Sequence, residues 1–279
     1  MIKPYFPIIA VCLLVIAAAA TLPAKAQKLK DVQEISAAAP PQIRVDGKNK
    51  EWNDGFLAHN KRTNIFYTLC NDDKNLYLVI KSDNVENNAK ILAGGITFSV
   101  NADGKKKQKE SINLTYPLIS RTDRRGQGGG GGRRGMGRGG DRNAAQTAAE
   151  RDSIAAATQQ IQLAQVKEIK VTGFKDITDT LISIYNEYGI KASASIDKDR
   201  LFFYEMAIPL GKLGISPGSE FAYNIKVNGL EISNFGGGGG GGGFGGGVRG
   251  GRSGGGGNID FQSLTSPTDF WGKYTLTKK

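Results

Sequence analysis

Glycine is spread so unevenly along this chain that two stretches are barred from any packed core. Residues 126–140 hold ten glycines in fifteen positions and residues 236–257 hold seventeen in twenty-two, together 27 of the 39 in the sequence. Glycine offers no side chain to bury and loses the most backbone freedom on ordering, so such tracts gain too little from packing to become fixed. They are expected to be two disordered Gly-rich loops. Between the first tract and the next apolar run, Asn143 to Gln165 is rich in Ala, Gln and Glu and contains neither Gly nor Pro. That composition predicts an inserted helix whose weak apolar stripe makes it part of the same insertion, spanning 121–166, and not a core element.

Those segments also carry the charge. The whole chain has a formal net charge of +11. Once residues 1–26 are set aside the balance is +9, and +7 of that lies in 121–142 and 236–257. The rest of the chain is close to neutral on average, which gives no sign of a surface built for a polyanion. Arg138-Gly139-Gly140 and Arg249-Gly250-Gly251 have the spacing of arms that bind RNA. The N-terminal segment argues against that partner. Lys3 precedes an unbroken apolar run, Ile8 to Ala20, and Ala24-Lys25-Ala26 before Gln27 has the small-x-small form cut by a signal peptidase. Residues 1–26 are therefore expected to be a signal peptide. The run is shorter than the roughly 20 apolar residues of a membrane span, and no later stretch approaches that length. The mature product, 27–279, is expected to be one exported domain without an integral membrane segment, periplasmic, on the cell surface or extracellular, and away from nucleic acid. Cys12 lies well before the cleavage site, so it is not placed for lipidation. Removing the signal leaves Cys70 as the sole cysteine, expected as a small buried hydrophobe.

Outside the Gly tracts the pattern has period two. Gly95 to Asn101 sets Ile96, Phe98 and Val100 against Thr97 and Ser99, the turn residues Ala102-Asp103-Gly104 follow, and Ser111 to Tyr116 sets Ile112, Leu114 and Tyr116 against Asn113 and Thr115. Asn64 to Cys70 and Asn75 to Lys81 flank Asn71-Asp72-Asp73-Lys74 in the same way. Further strand-like runs follow at 166–172, 180–185, 189–196, 200–208, 221–232 and 270–277. Short strands at this spacing predict an all-β antiparallel sandwich with one inserted helix.

Four motifs in order then resemble a known family. They are Ile43-Arg44-Val45-Asp46-Gly47 with Glu51-Trp52, Asp73-Lys74-Asn75-Leu76-Tyr77-Leu78, Tyr204-Glu205-Met206-Ala207-Ile208-Pro209-Leu210, and Phe270-Trp271-Gly272-Lys273-Tyr274-Thr275-Leu276. Together they are similar to the family 9 carbohydrate-binding-module-like, DOMON-related β-sandwich. The resemblance runs from about Gln42 to the C-terminus. It implies a jelly-roll-like sandwich of two antiparallel sheets, usually secreted, whose better known members bind sugars, often beside calcium. It also implies that Trp52 packs against the end of the sandwich and that Glu205 has a structural role.

No catalytic constellation emerges. His59 is the sole histidine, and His59, Met136 and Met206 are too scattered to serve as haem ligands. Asp197-Lys198-Asp199-Arg200 is first a hairpin loop between two strands, and Asp197 and Asp199 are at the same time the candidate metal ligands, with calcium the ion in question. In the final strand Phe270, Gly272, Tyr274 and Leu276 share the apolar face, while Trp271 and Lys273 share the other. Trp271 is then either a cover for the outer sheet or a plate on which a sugar ring stacks, with Lys273 beside it. Two functions stay open: an exported non-catalytic protein that binds polysaccharide or envelope glycan on a sandwich face, and a structural envelope or surface protein whose Gly/Arg-rich loops contact a partner or matrix. N-terminal sequencing of the exported protein should begin at or within a few residues of Gln27; an intact mass that retains Met1 would contradict the cleavage.

Overall fold

The computed structural model describes residues 28–119, 148–216, 218–230 and 261–277. The expected signal peptide, both Gly-rich stretches with the disorder expected of them, and the start of the expected helix lie outside the described residues.

Among the described residues, eleven strands form two antiparallel sheets. The first has the order β1-β2-β3-β9-β8, with β1 Ala58–Asn60, β2 Ile65–Asn71, β3 Asn75–Ser82, β8 Lys191–Ile196 and β9 Phe202–Pro209. The second has the order β11-β10-β4-β5-β6-β7, with β4 Ile96–Asn101, β5 Ile112–Tyr116, β6 Glu168–Thr172, β7 Leu181–Ser183, β10 Glu220–Val227 and β11 Thr268–Thr275. The all-β sandwich expected from the alternation is present. Tyr67, Leu69, Leu78, Ile80, Tyr204 and Met206 from one sheet meet Phe98, Val100, Leu114, Tyr223, Ile225 and Phe270 from the other in one continuous core. Apolar burial supplies the driving force, at roughly 25 cal/mol per Å². The Tyr67 and Tyr223 hydroxyls hydrogen-bond across the sandwich at 2.9 Å, and the backbone N–H of Gln33 donates to the Tyr67 oxygen. Burial accordingly raises both phenols well above their ordinary pKa.

Two features differ from the expectation. A helix, α1 Val85–Gly94, joins the sheets where no helix was expected; the Asn84 side chain caps it by accepting from the Asn87 N–H at 2.7 Å. The inserted helix, α2 Ala148–Gln165, is a working part of the core. Its Ala156 and Leu163 are buried, Leu163 within the main cluster, and Gln160 Oε1 accepts the free edge N–H of Ile196 at 2.8 Å. The stripe looked weak because a small alanine does half the packing, yet it suffices to cover the β8 edge. Two short helices, α3 Leu210–Leu213 and α4 Phe261–Thr265, follow β9 and precede β11.

Residues 28–57 wrap the first sheet. The Gln33 side chain acts as a surrogate strand where β1 has ended: its amide donates to the Leu69 carbonyl at 2.7 Å and accepts the Leu69 N–H at 2.8 Å. Further along, the segment crosses the outer face and buries Trp52 and Phe56 against Cys70, Tyr77, Val79, Phe203 and Ala207. At the centre of this second cluster lies Glu205, 1% exposed. Its Oε2 accepts the backbone N–H groups of Gly47 at 2.7 Å and Asp46 at 2.9 Å, and its Oε1 accepts the Trp52 indole N–H at 2.7 Å. Gly47 is obligatory there, because its φ is +78° and a Cβ would come within 2.9 Å of Ser193 Oγ. The structural roles implied for Trp52 and Glu205 are thereby given a mechanism. Burial also pushes the lone Cys70 thiol up to about 12, leaving it inert at neutral pH.

Glu205→Ala would strand three buried donors. At about 1–3 kcal/mol for each unsatisfied group, chemical denaturation should register a loss of about 3 kcal/mol or more. Burial, acting against the three donors, holds the carboxyl above its ordinary 4.5. The folded chain thus keeps that proton longer than the unfolded one, so this group's contribution is complete below about pH 4.5 and declines as pH rises through the folded-state value. Glu205→Gln should lack that decline; parallel stability curves for variant and wild type would contradict it.

Candidate functional site

The two outer faces of the sandwich have opposite characters. The first sheet's is apolar and covered by residues 28–57. The second sheet's is polar, and the strand register assembles it into rows that run across the strands. Trp271 on β11 lies opposite Asn224, which lies opposite Ser99, which lies opposite Asn113, which lies opposite Thr172. A neighbouring row runs from Asp269 through Lys226, Thr97 and Thr115 to Lys170. With strands about 4.8 Å apart, each row is a straight ledge of roughly 20 Å.

The ledge is internally braced. Ser99 Oγ donates to Asn113 Oδ1 at 2.7 Å, Asn113 Nδ2 donates to Thr172 Oγ1 at 3.2 Å, and Asn224 Nδ2 donates to Asp269 Oδ2 at 2.9 Å. The Thr97 and Thr115 hydroxyls hydrogen-bond at 2.8 Å. Ser99 and Asn224 are buried, while Asn113 and Thr115 are half-buried and Thr172 is exposed. Each donor satisfied by a neighbour holds its partner in one orientation, so the buried Ser99 and Thr97 fix the half-buried Asn113 and Thr115, and Asn113 in turn fixes the exposed Thr172.

Trp271 stands at one end of this ledge. The final strand alternates as expected: Phe270, Gly272 and Tyr274 are buried, Trp271 is half-buried, and Lys273 and Thr275 are exposed. The indole is therefore on the polar side and outside both apolar clusters. Lys273, two residues on, forms an ion pair with Glu220 at 2.6 Å.

Asp197 and Asp199 lie elsewhere, in the β8–β9 turn of the first sheet, and the fold does not bring them to Trp271. Asp197 Oδ1 is engaged by its own loop, accepting the N–H groups of Asp199 at 2.9 Å and Leu201 at 2.8 Å. Arg200 beside them has a φ of +63°, the geometry of a tight hairpin. Among the described residues no group of three or more His, Cys, Asp or Glu side chains converges as a metal site would require, and no helix is long and apolar enough to cross a membrane.

The members of the ledge that sequence reasoning missed are Asn224, Ser99, Asn113 and Thr172. Their outward direction follows from alternation within each strand, but their alignment beside Trp271 follows from pairing between distant strands.

No protein-family model matches the chain, and no curated protein matches it. Among solved structures it is similar to a family 9 carbohydrate binding module from Caldicellulosiruptor kristjanssonii in complex with glucose, with 9% sequence identity over 88% of this chain and 96% of that one and a TM-score of 0.39.

Proposed function

We propose that this chain is an exported, non-catalytic protein that binds glycan on the outer face of its six-stranded sheet. One observation carries the reading: a half-buried tryptophan on the polar side of an edge strand, in register with a braced row of amide and hydroxyl groups. A sugar ring has an apolar face of C–H groups and a rim of hydroxyls. The indole matches the face, and Asn113, Thr115 and Thr172 match the rim. Export is supported by the apolar run and the Ala24-Lys25-Ala26 site at the start of the sequence.

The reading of a structural envelope protein has one observation behind it. Tyr116 and Val227 both pair with Ile96, so the chain passes into both Gly-rich stretches from the same end of the second sheet. Two segments anchored side by side would suit contact with one partner.

Trp271→Ala separates the two functions. The side chain is half-buried, so its truncation should cost about 1 kcal/mol, against the 3–5 kcal/mol of a core aromatic such as Trp52. Affinity for a soluble oligosaccharide in calorimetric titration should fall about tenfold or more. A wild type that binds no glycan would move the assignment to the structural protein, and a variant that binds as well as wild type would remove Trp271 from the site.

A further inference from the structure

The average neutrality of the folded body conceals one local exception next to Trp271. Residues 105–109 read Lys-Lys-Lys-Gln-Lys, and all four lysines are exposed. They lie in the turn between β4 and β5, which is held in shape from below. Asn101, 1% exposed, accepts the Lys105 N–H through Oδ1 at 3.0 Å and donates through Nδ2 to the Glu110 carbonyl at 3.1 Å. Ser111 Oγ closes the base by donating to the Lys107 carbonyl at 2.7 Å. Two acidic residues sit in the turn, Asp103 and Glu110, and both are engaged by Lys105 and Lys107 at 3.1–3.8 Å. Lys106 and Lys109 have no ion-pair partner among the described residues. The turn thus keeps a net charge of +2.

The register puts this turn at the end of the ledge. Asn101 lies opposite Ala222, and Ala222 opposite Lys273, two residues from Trp271. Gly104 lies against the Glu220 carbonyl, and Glu220 pairs with Lys273. At a rise of about 3.3 Å per residue and a strand spacing of about 4.8 Å, the lysine turn begins on the order of 10–15 Å from the indole. That is within a few sugar units of the same chain and comparable to the Debye length of about 8–10 Å at ordinary salt.

We infer that the glycan taken by this face is acidic, a polymer carrying repeated carboxylates, with Lys106 and Lys109 meeting the anions while Trp271 stacks on a ring. The inference rests on the glycan-binding function proposed above and narrows it to a substrate class. Electrostatic complementarity of this kind chiefly sets selectivity and rate of encounter, and exposed pairs are individually weak, so both lysines are needed for a measurable preference.

The test titrates the full chain with polygalacturonate, with its fully methyl-esterified neutral form, and with single-stranded DNA. Wild type should bind the acid at least about fivefold more tightly than the ester, and the gap should shrink as salt rises from about 50 to 500 mM. The double variant Lys106→Gln/Lys109→Gln should narrow the gap at least about twofold while leaving ester binding and the denaturation midpoint unchanged. Arginines 121–142 are present in both proteins, so they do not contribute to the difference. Equal binding of acid and ester by wild type overturns the acidic specificity and leaves the glycan-binding function standing. A preference for acid that is undiminished in the double variant removes the lysine turn from the site. DNA bound as tightly as polygalacturonate, with the same lysine dependence, makes the turn a general polyanion patch. Binding to neither glycan overturns both proposals.

Discussion

A carboxylate buried outside the main core determines how the rest of the molecule is arranged. Residues 28–57 lie on the first sheet through Trp52, Phe56 and smaller apolar side chains, and apolar contact is non-directional, so by itself it would let the segment slide. Three hydrogen bonds to Glu205 remove that freedom: Asp46, Gly47 and Trp52 can satisfy one carboxylate in one position only. Gln33 does the same for the edge of β2. With its outer face covered and its edge capped, the first sheet is buried on both sides, which leaves the second sheet with the polar outer face, its exposed and half-buried polar groups on Asn113, Thr115 and Thr172. The position of the candidate site is in this sense a consequence of the Glu205 clamp.

What was legible in the sequence follows the same division. β4, β5 and β11 were clear because one side of each is apolar and the other polar, so alternation records the sheet directly. It also placed Trp271 and Lys273 on the right side of β11. β1 was missed because three residues are too few to show a period, and α1 because Ile91 and Leu92 alone give no helical stripe across Val85–Gly94. α2 was foreseen as a helix but not as core, since Ala156 buries little area of its own and its value lies in letting the helix approach β8. The ledge was beyond reach for a different reason. Asn224 and Ser99 are separated by more than a hundred residues, and only strand pairing, a non-local property, sets them side by side.

Charge shows the complementary limit. A count over the whole body averages Lys105 to Lys109 against carboxylates on remote surfaces and returns a small number. Beyond about a Debye length those carboxylates are screened from anything bound at the turn. An anion near the turn would therefore experience the local excess, which the Asn101 bracket shapes, more than the total.

Local packing also governs the end of the second sheet from which the chain leaves for the glycine-rich stretches. At the end of the sheet where they attach, the backbone is packed as closely as it can be. A Cβ on Gly94 would lie 1.8 Å from the Gly229 carbonyl oxygen, and one on Gly229 would lie 2.6 Å from that of Leu264. Asn228 ties the strands together, donating from its side chain to the Gly94 carbonyl at 3.0 Å and from its backbone to the Gly95 carbonyl at 3.1 Å. The Leu230 N–H then donates to the Leu264 carbonyl at 2.9 Å, which closes the chain on either side of residues 231–260. A side chain at Gly94 or Gly229 would therefore force this neck open and cost the sheet its end.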